Sequence, residues 1–438
     1  MKIQKGDKKI IRAWSFYDWA NSAYALVISS AIFPIFFEKV TNRNGNDTLF
    51  FLGMSFRNTE LYSYTLAFSF LVVAFLSPIL SSIADYRGNK KLFMQFYTYL
   101  GSFSTLMLFF FKGPETVWLG IFFSLLASIG FWGSLVFYNS YLPEIAHPEQ
   151  QDKVSALGFA YGYVGSVLLM IFNLTMILHP EWYGIEDGTL PARLSFLSVG
   201  IWWFVFSQYT FYILPDNIYE EKTPQQKSYL LEGFKQLKKV FKNLAYFPLL
   251  KRFLMAFFLY SLAAQTIFYV AGLYGSKELQ LDSGKLIMTI LVVQIVGILG
   301  ALGFSRISKY IGNIRALQMI LLIWIGVTVS AYMLDKTHPH IELQFYILGG
   351  FVGLVMGSIQ ALSRSTYSKM IPEDTHQHAT YFSFYDFSEK IAIVLGTFSF
   401  GALEAITGSM KSAVLMMAFI FFISMLILQT IRTKKILT

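Results

Sequence analysis

Twelve stretches of about twenty mostly apolar residues, parted by short polar loops, dictate the solvent in which this chain can fold. They fall near residues 12–38, 61–84, 92–112, 115–141, 154–178, 194–214, 252–274, 284–306, 316–335, 342–368, 379–405 and 410–431. Hydrocarbon offers no partner to a backbone N–H or C=O, so each stretch must close its own hydrogen bonds as a helix. Charged residues make up only 14% of the chain and hydrophobic ones 55%, whereas a soluble domain holds about 25% charged residues. The expected architecture is an all-α, polytopic membrane protein with twelve transmembrane helices. The apolar run after MKIQKGDKKIIR is longer than the about 7–15 residues of a signal-peptide core. No A-x-A-like cleavage site follows it, so it reads as the first span.

The net charge of +9 takes its meaning from where the basic residues sit. With both termini on one side of the membrane, that side holds 25 of the 35 Lys and Arg, the opposite side nine, and Lys390 lies within a span. Basic loops stay in the cytoplasm. Both termini are therefore expected to be cytoplasmic, with the protein in the inner membrane if the cell is bacterial. The basic surplus is a topological signal and calls for no nucleic acid. Zero cysteines exclude disulfides, thiolate metal sites and thiol nucleophiles. His147, His376 and His378 are expected in loops on the basic side, and His179, His338 and His340 in loops opposite. None is spaced with acids as a metal ligand would be, and no metal or cofactor is expected.

An internal repeat divides the chain. Tyr86, Gly88, Asn89 and Lys91 match Tyr310, Gly312, Asn313 and Arg315 at an offset of 224 residues. Pro148 and Glu149 match Pro372 and Glu373 at the same offset, as does Tyr161 with Tyr385. Two parallel six-helix units follow, an arrangement found in transporters, with expected bounds of 1–214 and 252–438. Between them, residues 215–251 are polar and then amphipathic. Leu230, Leu231, Phe234, Leu237, Phe241 and Leu244 recur at helical spacing, with Lys235, Lys238, Lys239 and Lys242 between them. A linker helix on the anionic leaflet is the expected reading, and a docking site for another protein is the alternative.

The segment from Gly357 to Gly396 places Arg364, Asp386, Glu389 and Lys390 inside apolar stretches. On insertion scales each such charge costs about 2.5–3.5 kcal/mol, so these groups are expected to face one another or a water-filled path. Gln360, Ser363 and Arg364 lie within about one turn. Arginine's planar fork suits a carboxylate, whether of a solute or of a gating partner; snorkelling to the surface is the alternative. Asp386 precedes Lys390 by four residues, the favourable order for a pair on one helix. Glu389 is adjacent in sequence and is expected to point elsewhere. A structural pair and a coupling role for Lys390 both stay open.

The loop ADYRGNKK, between the second and third spans, resembles the loop signature of the major facilitator superfamily. Asp85 can cap a neighbouring helix end, Gly88 permits the tight turn, and Lys90 and Lys91 hold the loop inside. Ser81 stands where that family usually has its first glycine, and Tyr86 replaces a basic residue. WSFYDWANSAYA at 14–25, GFAYGYVG at 158–165, QALSRSTYSKMIP at 360–372 and FSFYDFSEK at 382–390 narrow the resemblance. Together they are similar to the branch of the fungal vacuolar amino-acid effluxers linked to autophagy and their bacterial relatives, over nearly the whole chain. The resemblance implies a major facilitator fold of two pseudo-symmetric six-helix halves and solute efflux, with amino acids as cargo. It also implies that the first helix lines a central cavity, where Asp18, Asn21 and Ser22 share a face. These three, with Gln360, Ser363 and Arg364, are the candidate solute-binding residues; an Asp18 that merely caps its helix is the alternative. Asp85, Gly88, Lys91, Asp386, Glu389 and Lys390 are candidates for coupling or gating. Gly158, Gly162 and Gly165 form a small-residue face suited to close packing. The proline of the superfamily's antiporter signature is absent from 154–178, which leaves proton antiport without that support.

The functional expectation is a secondary transporter moving a small polar solute by alternating access, with protons as a candidate partner through Asp18 or Glu389. The chain is expected to be a monomer in the bilayer. A non-transporting receptor or scaffold would need a large soluble domain or long tail, and the loops are short. An integral-membrane enzyme would need clustered His, Asp or Cys near one interface, and none is found. No phosphate-cradling loop is present, which argues against direct use of ATP.

Overall fold

The structure is a computed structural model that describes residues 4–42, 47–216, 235, 237–242, 247–372 and 375–431. Most of the expected linker helix, Glu373 of the repeat, and the basic residues Arg43, Arg432, Lys434 and Lys435 lie outside the described residues.

Twelve long helices appear in the expected order: α1 (Lys8–Thr41), α2 (Asn58–Arg87), α3 (Lys90–Met107), α4 (Val117–Ser140), α5 (Pro148–Leu178), α6 (Leu190–Ile213), α7 (Pro248–Leu273), α8 (Ser283–Ile311), α9 (Asn313–Met333), α10 (Ile341–Met370), α11 (His378–Thr407) and α12 (Met410–Gln429). Among the described residues, eleven helical segments are long and apolar enough to cross a membrane; α3 falls short. Its Thr98, Gly101, Ser102, Ser104 and Thr105 lower its hydropathy but are buried, as small and hydroxyl side chains are where membrane helices approach closely. Helix ends carry local signals. Asp7 accepts from the Lys9 N–H at 2.7 Å to start α1. Gly88 (φ +72°) ends α2 in the left-handed conformation that glycine adopts without a Cβ clash. Its repeat partner Gly312 (φ +83°) occupies the matching turn between α8 and α9.

The pairings show the symmetry. In the first half α1 packs on α5 and α6, α2 on α4, and α3 on α4 and α6. Adding six to every number gives the pairings of the second half: α7 on α11 and α12, α8 on α10, and α9 on α10 and α12. Across the halves α2 meets α11 and α5 meets α8, the same contact made twice. One repeat match does not survive. Pro148 opens α5, whereas Pro372 lies in the loop before α11, which places α11 later relative to the repeat.

Three local features depart from expectation. Residues Tyr24–Ile32 of α1 are π-helical, with the Ser30 hydroxyl donating to the Ala25 carbonyl at 2.8 Å. His378 is the buried first residue of α11 rather than part of a loop. The loop after α1 forms a two-stranded antiparallel hairpin, β1 (Thr48–Phe51) and β2 (Met54–Arg57). In the linker, Val240 is buried in the core of the second half.

Candidate functional site

Between the halves lies a cavity of about 180 Å³; an engineered cavity of roughly 150 Å³ holds benzene, so the space is that of a small molecule. Asp18, Asn21 and Ser22 of α1 line it, as do Gln360, Ser363 and Arg364 of α10 and Glu389 of α11. All six candidate solute-binding residues therefore meet in one space. Aromatic side chains, Trp132, Tyr163, Tyr260, Tyr269 and Tyr385 among them, make up much of the wall.

Arg364 is the hinge of the arrangement. It belongs to the second half, yet its Nε donates to the Ser155 hydroxyl at 2.9 Å and its Nη2 to the Ser155 carbonyl at 2.8 Å. Its Nη1 reaches Asn139 Oδ1 at 3.2 Å and Asp18 Oδ2 at 3.5 Å. The guanidinium also lies over the Phe159 ring, 4.3 Å from its centroid. Every one of these partners is in the first half. Arg364 is buried, which rules out snorkelling. Asp18 is buried too, in the third turn of α1, and takes a 2.8 Å hydrogen bond from the Tyr138 hydroxyl. It does not cap the helix, because Asp7 does. The glycine face of α5 makes room for this pair: a Cβ on Gly158 would stand 2.6 Å from Asp18 Oδ2, and one on Gly162 would stand 2.4 Å from the Ser22 hydroxyl. Beside them, Asn21 Nδ2 is a buried donor without a partner among the described residues.

A second charged group lies on α11. Lys390 Nζ is 3.0 Å from Asp386 Oδ1 and 2.9 Å from Glu389 Oε2. The expectation that Glu389 points away from Lys390 is thus corrected. Neighbouring Cα atoms diverge, but two long flexible side chains bring their heads together. The other Glu389 oxygen accepts from Gln265 Nε2 at 3.0 Å. Lys390 is fully buried and sits 3.7 Å from the centroid of Trp132, on α4 of the other half. Two carboxylates share one ammonium here, and Asp386 Oδ2 is buried with no partner among the described residues.

The end of the bundle that carries the N-terminus, the basal end, is held by two clasps between the halves. At one, Asp85 accepts from the Ala379 N–H at 3.1 Å, the Thr380 N–H at 2.7 Å and the Thr380 hydroxyl at 2.7 Å, capping α11. At the other, Asp152 of α5 accepts from Asn313 Nδ2 at 2.7 Å, Lys369 Nζ at 2.7 Å and the Ser308 hydroxyl at 3.1 Å. Sequence reasoning passed over Asp152; the repeat pointed to its partner Asn313 without saying what it would touch. Lys91 bonds the Leu214 carbonyl and Asp216, each at 2.8 Å, and Lys90 pairs with Glu144. Both lysines are buried, so they tie the loop to the ends of α4 and α6 rather than reaching for the leaflet. Among the described residues no group of three His, Asp or Glu could hold a metal.

The family profile described as "Vacuole effluxer Atg22 like" matches residues 6–437. The MFS-type transporter YxiO of Bacillus subtilis is 32% identical over 95% of this chain and 93% of its own length. Autophagy-related protein 22-1 of Penicillium rubens is 23% identical over 92% of this chain and 80% of its own. Among solved structures, the major facilitator transporter FucP in its outward conformation superposes with a TM-score of 0.69 at 12% identity, covering 98% of this chain and 99% of that one. The proton:xylose symporter XylE superposes with a TM-score of 0.68 at 13% identity, covering 97% and 95%. At such identities the likeness is one of fold.

Proposed function

Since this chain belongs to the Atg22-like vacuole effluxer family and is a multi-pass transporter of the major facilitator fold, we propose that it exports a small solute bearing a carboxylate, amino acids being the class it fits. Residues 1–214 and 252–438 rock about the cavity by alternating access, joined by 215–251. The basal end faces the cytoplasm, because most of the basic residues lie there. One observation carries the reading: Arg364, the guanidinium at the edge of the cavity, holds the two halves together by bonds to Asp18, Asn139 and Ser155. A solute carboxylate that takes the arginine's fork competes with those bonds, so binding and parting of the halves become one event. Asn21 supplies a free donor beside it, and the aromatic wall suits an ammonium or an apolar side chain.

Glu389 is the coupling carboxylate in this scheme. It borders the cavity and shares Lys390 with Asp386. Taking up a proton releases Lys390 wholly to Asp386 and leaves the triad neutral. Asp18 is the second acid that a proton can reach.

The test is flux of labelled amino acids into proteoliposomes, after thermal-shift screening of the solubilised monomer against an amino-acid panel, since a ligand that binds the folded state raises its stability. Asp18→Asn is expected to abolish flux or its pH dependence while membrane insertion is retained. Arg364→Lys keeps the charge but loses the fork, and is expected to cost at least about tenfold in flux, or roughly 1.4 kcal/mol. Wild-type flux with wild-type pH dependence in Asp18→Asn removes that residue from the mechanism.

A further inference from the structure

The hairpin between α1 and α2 carries large apolar side chains on its outside. Phe50 is 73% exposed, Leu52 83% and Met54 57%. The register puts Leu49, Phe51, Met54 and Phe56 on one face and Phe50 with Ser55 on the other, so apolar side chains leave the tip on both faces, while Thr48 pairs with Arg57 at the base. Charge collects at that base, where the Arg57 N–H donates to Glu60 at 3.2 Å. The hairpin is thus polar where it joins the helices and apolar where it ends.

The turn itself breaks a local rule. Leu52 and Gly53 both have positive φ, +51° and +82°, as a two-residue hairpin turn with primed geometry requires. In water such a position goes to Asn, Asp or Gly. Leucine is disfavoured there, and no described part of the protein covers its side chain. Local rules are broken where something outside the local chain compensates.

The surface beneath the hairpin points to the compensating partner. On α2, Tyr64, Phe68 and Phe75 are exposed and fall on one face. In a chain that crosses the membrane, an exposed row of this kind is the lipid-facing side. Phe56 of β2 meets Tyr64, the first of that row, edge to face with centroids 6.2 Å apart. The hairpin therefore prolongs the lipid-facing surface of α2 beyond the helix end.

We infer that residues 48–57 form a bilayer anchor, with Phe50, Leu52 and Met54 seated in the leaflet at the end of the bundle remote from the N-terminus. Apolar and aromatic side chains in that position sit at the headgroup–acyl boundary. The anchor ties the cavity-lining helix α1 and its neighbour α2 to the membrane at one shared point.

The chain has no cysteine, so single labels report cleanly. Nitroxide labels on Leu52→Cys, Phe50→Cys and, as a reference in the exposed loop between α5 and α6, Glu186→Cys are read in phosphatidylcholine–phosphatidylglycerol vesicles. Collisions with apolar oxygen are compared with collisions with a water-soluble nickel complex. The labels at 52 and 50 are expected to favour oxygen severalfold over the label at 186. Nickel access at both tip positions equal to that at 186 puts the tip in water and overturns the inference. Shielding from both reagents means the tip packs on protein, either its own cavity mouth or a second copy, and overturns it equally. The readout needs no transport activity, and two tip positions guard against one label disturbing the turn.

Discussion

At the basal end, α2 meets the start of α11, the end of α8 and the start of α9 meet the start of α5, and the two joints are built from different materials. In the first, a carboxylate from the α2 end receives two backbone N–H groups and a hydroxyl at a helix N-terminus. In the second, the carboxylate is Asp152 on the helix itself, and the start of α9 and the end of α10 bring Asn313 and Lys369 to it. Pseudo-symmetry preserves where the halves touch without preserving what they touch with. A backbone N–H at a helix start is fixed in place and carries part of the helix dipole, whereas Lys369 must give up side-chain freedom to reach its partner. The first joint should be the stiffer one and the second the easier one to release.

The sharpest break of that comparison is Asp85→Asn. The amide keeps one acceptor, but its N–H₂ takes the place of the other oxygen, opposes the Ala379 N–H if the Thr380 bonds are kept, and carries no charge. Hydrogen bonds to a charged group are worth about 1.5–3 kcal/mol, so a loss of about 2 kcal/mol, roughly thirtyfold toward the parted state, is expected. Ser363→Cys in the cavity wall, labelled by an impermeant maleimide from the basal side, reads this as faster labelling. Labelling no faster than with Asp152→Asn would show that the joints are equivalent.

Asp152→Asn comes next. The Lys369 side chain is 17% exposed and long, so lost side-chain freedom and water at its head offset part of the interaction. About 1 kcal/mol is expected, near fivefold in labelling rate. A double-mutant cycle with Lys369→Met should show most of that loss as coupling, weakening as salt rises. A weaker salt dependence is expected of Asp85, whose hydrogen-bond partners are neutral and whose charged neighbour Lys90 is buried.

These joints also show what was legible in the sequence. Hydropathy marked all twelve helices, since a bilayer leaves few other folds for such segments, and the out-of-place charges marked Asp18, Arg364, Asp386, Glu389 and Lys390. The partners were hidden. Ser155, Asn139 and Tyr138 bind Arg364 or Asp18 from helices far away in sequence, and polar residues of those types occur throughout the chain. Asp152 looked like any acid near a helix start, because only the folded interface shows that it faces Lys369. The hairpin escaped for a different reason: four-residue strands leave too short an alternation to stand out between two long apolar runs.

The smallest predicted effect bears most directly on what the repeat means. Asn89 and Asn313 are matched residues at matched turns, yet of the two Asn313 enters a clasp, bonding Asp152 at 2.7 Å, Thr366 at 2.9 Å and Lys369 at 3.2 Å. The side-chain carbonyl of Asn89 is buried with no partner among the described residues. Asn313→Ala should therefore loosen its joint by about 0.5–1 kcal/mol, a two- to fivefold rise in Ser363→Cys labelling, while Asn89→Ala leaves labelling unchanged. If both raised it equally, the matched asparagines would be serving the loop turn that both halves share. If only Asn313 does, one half has turned an inherited turn residue into a latch.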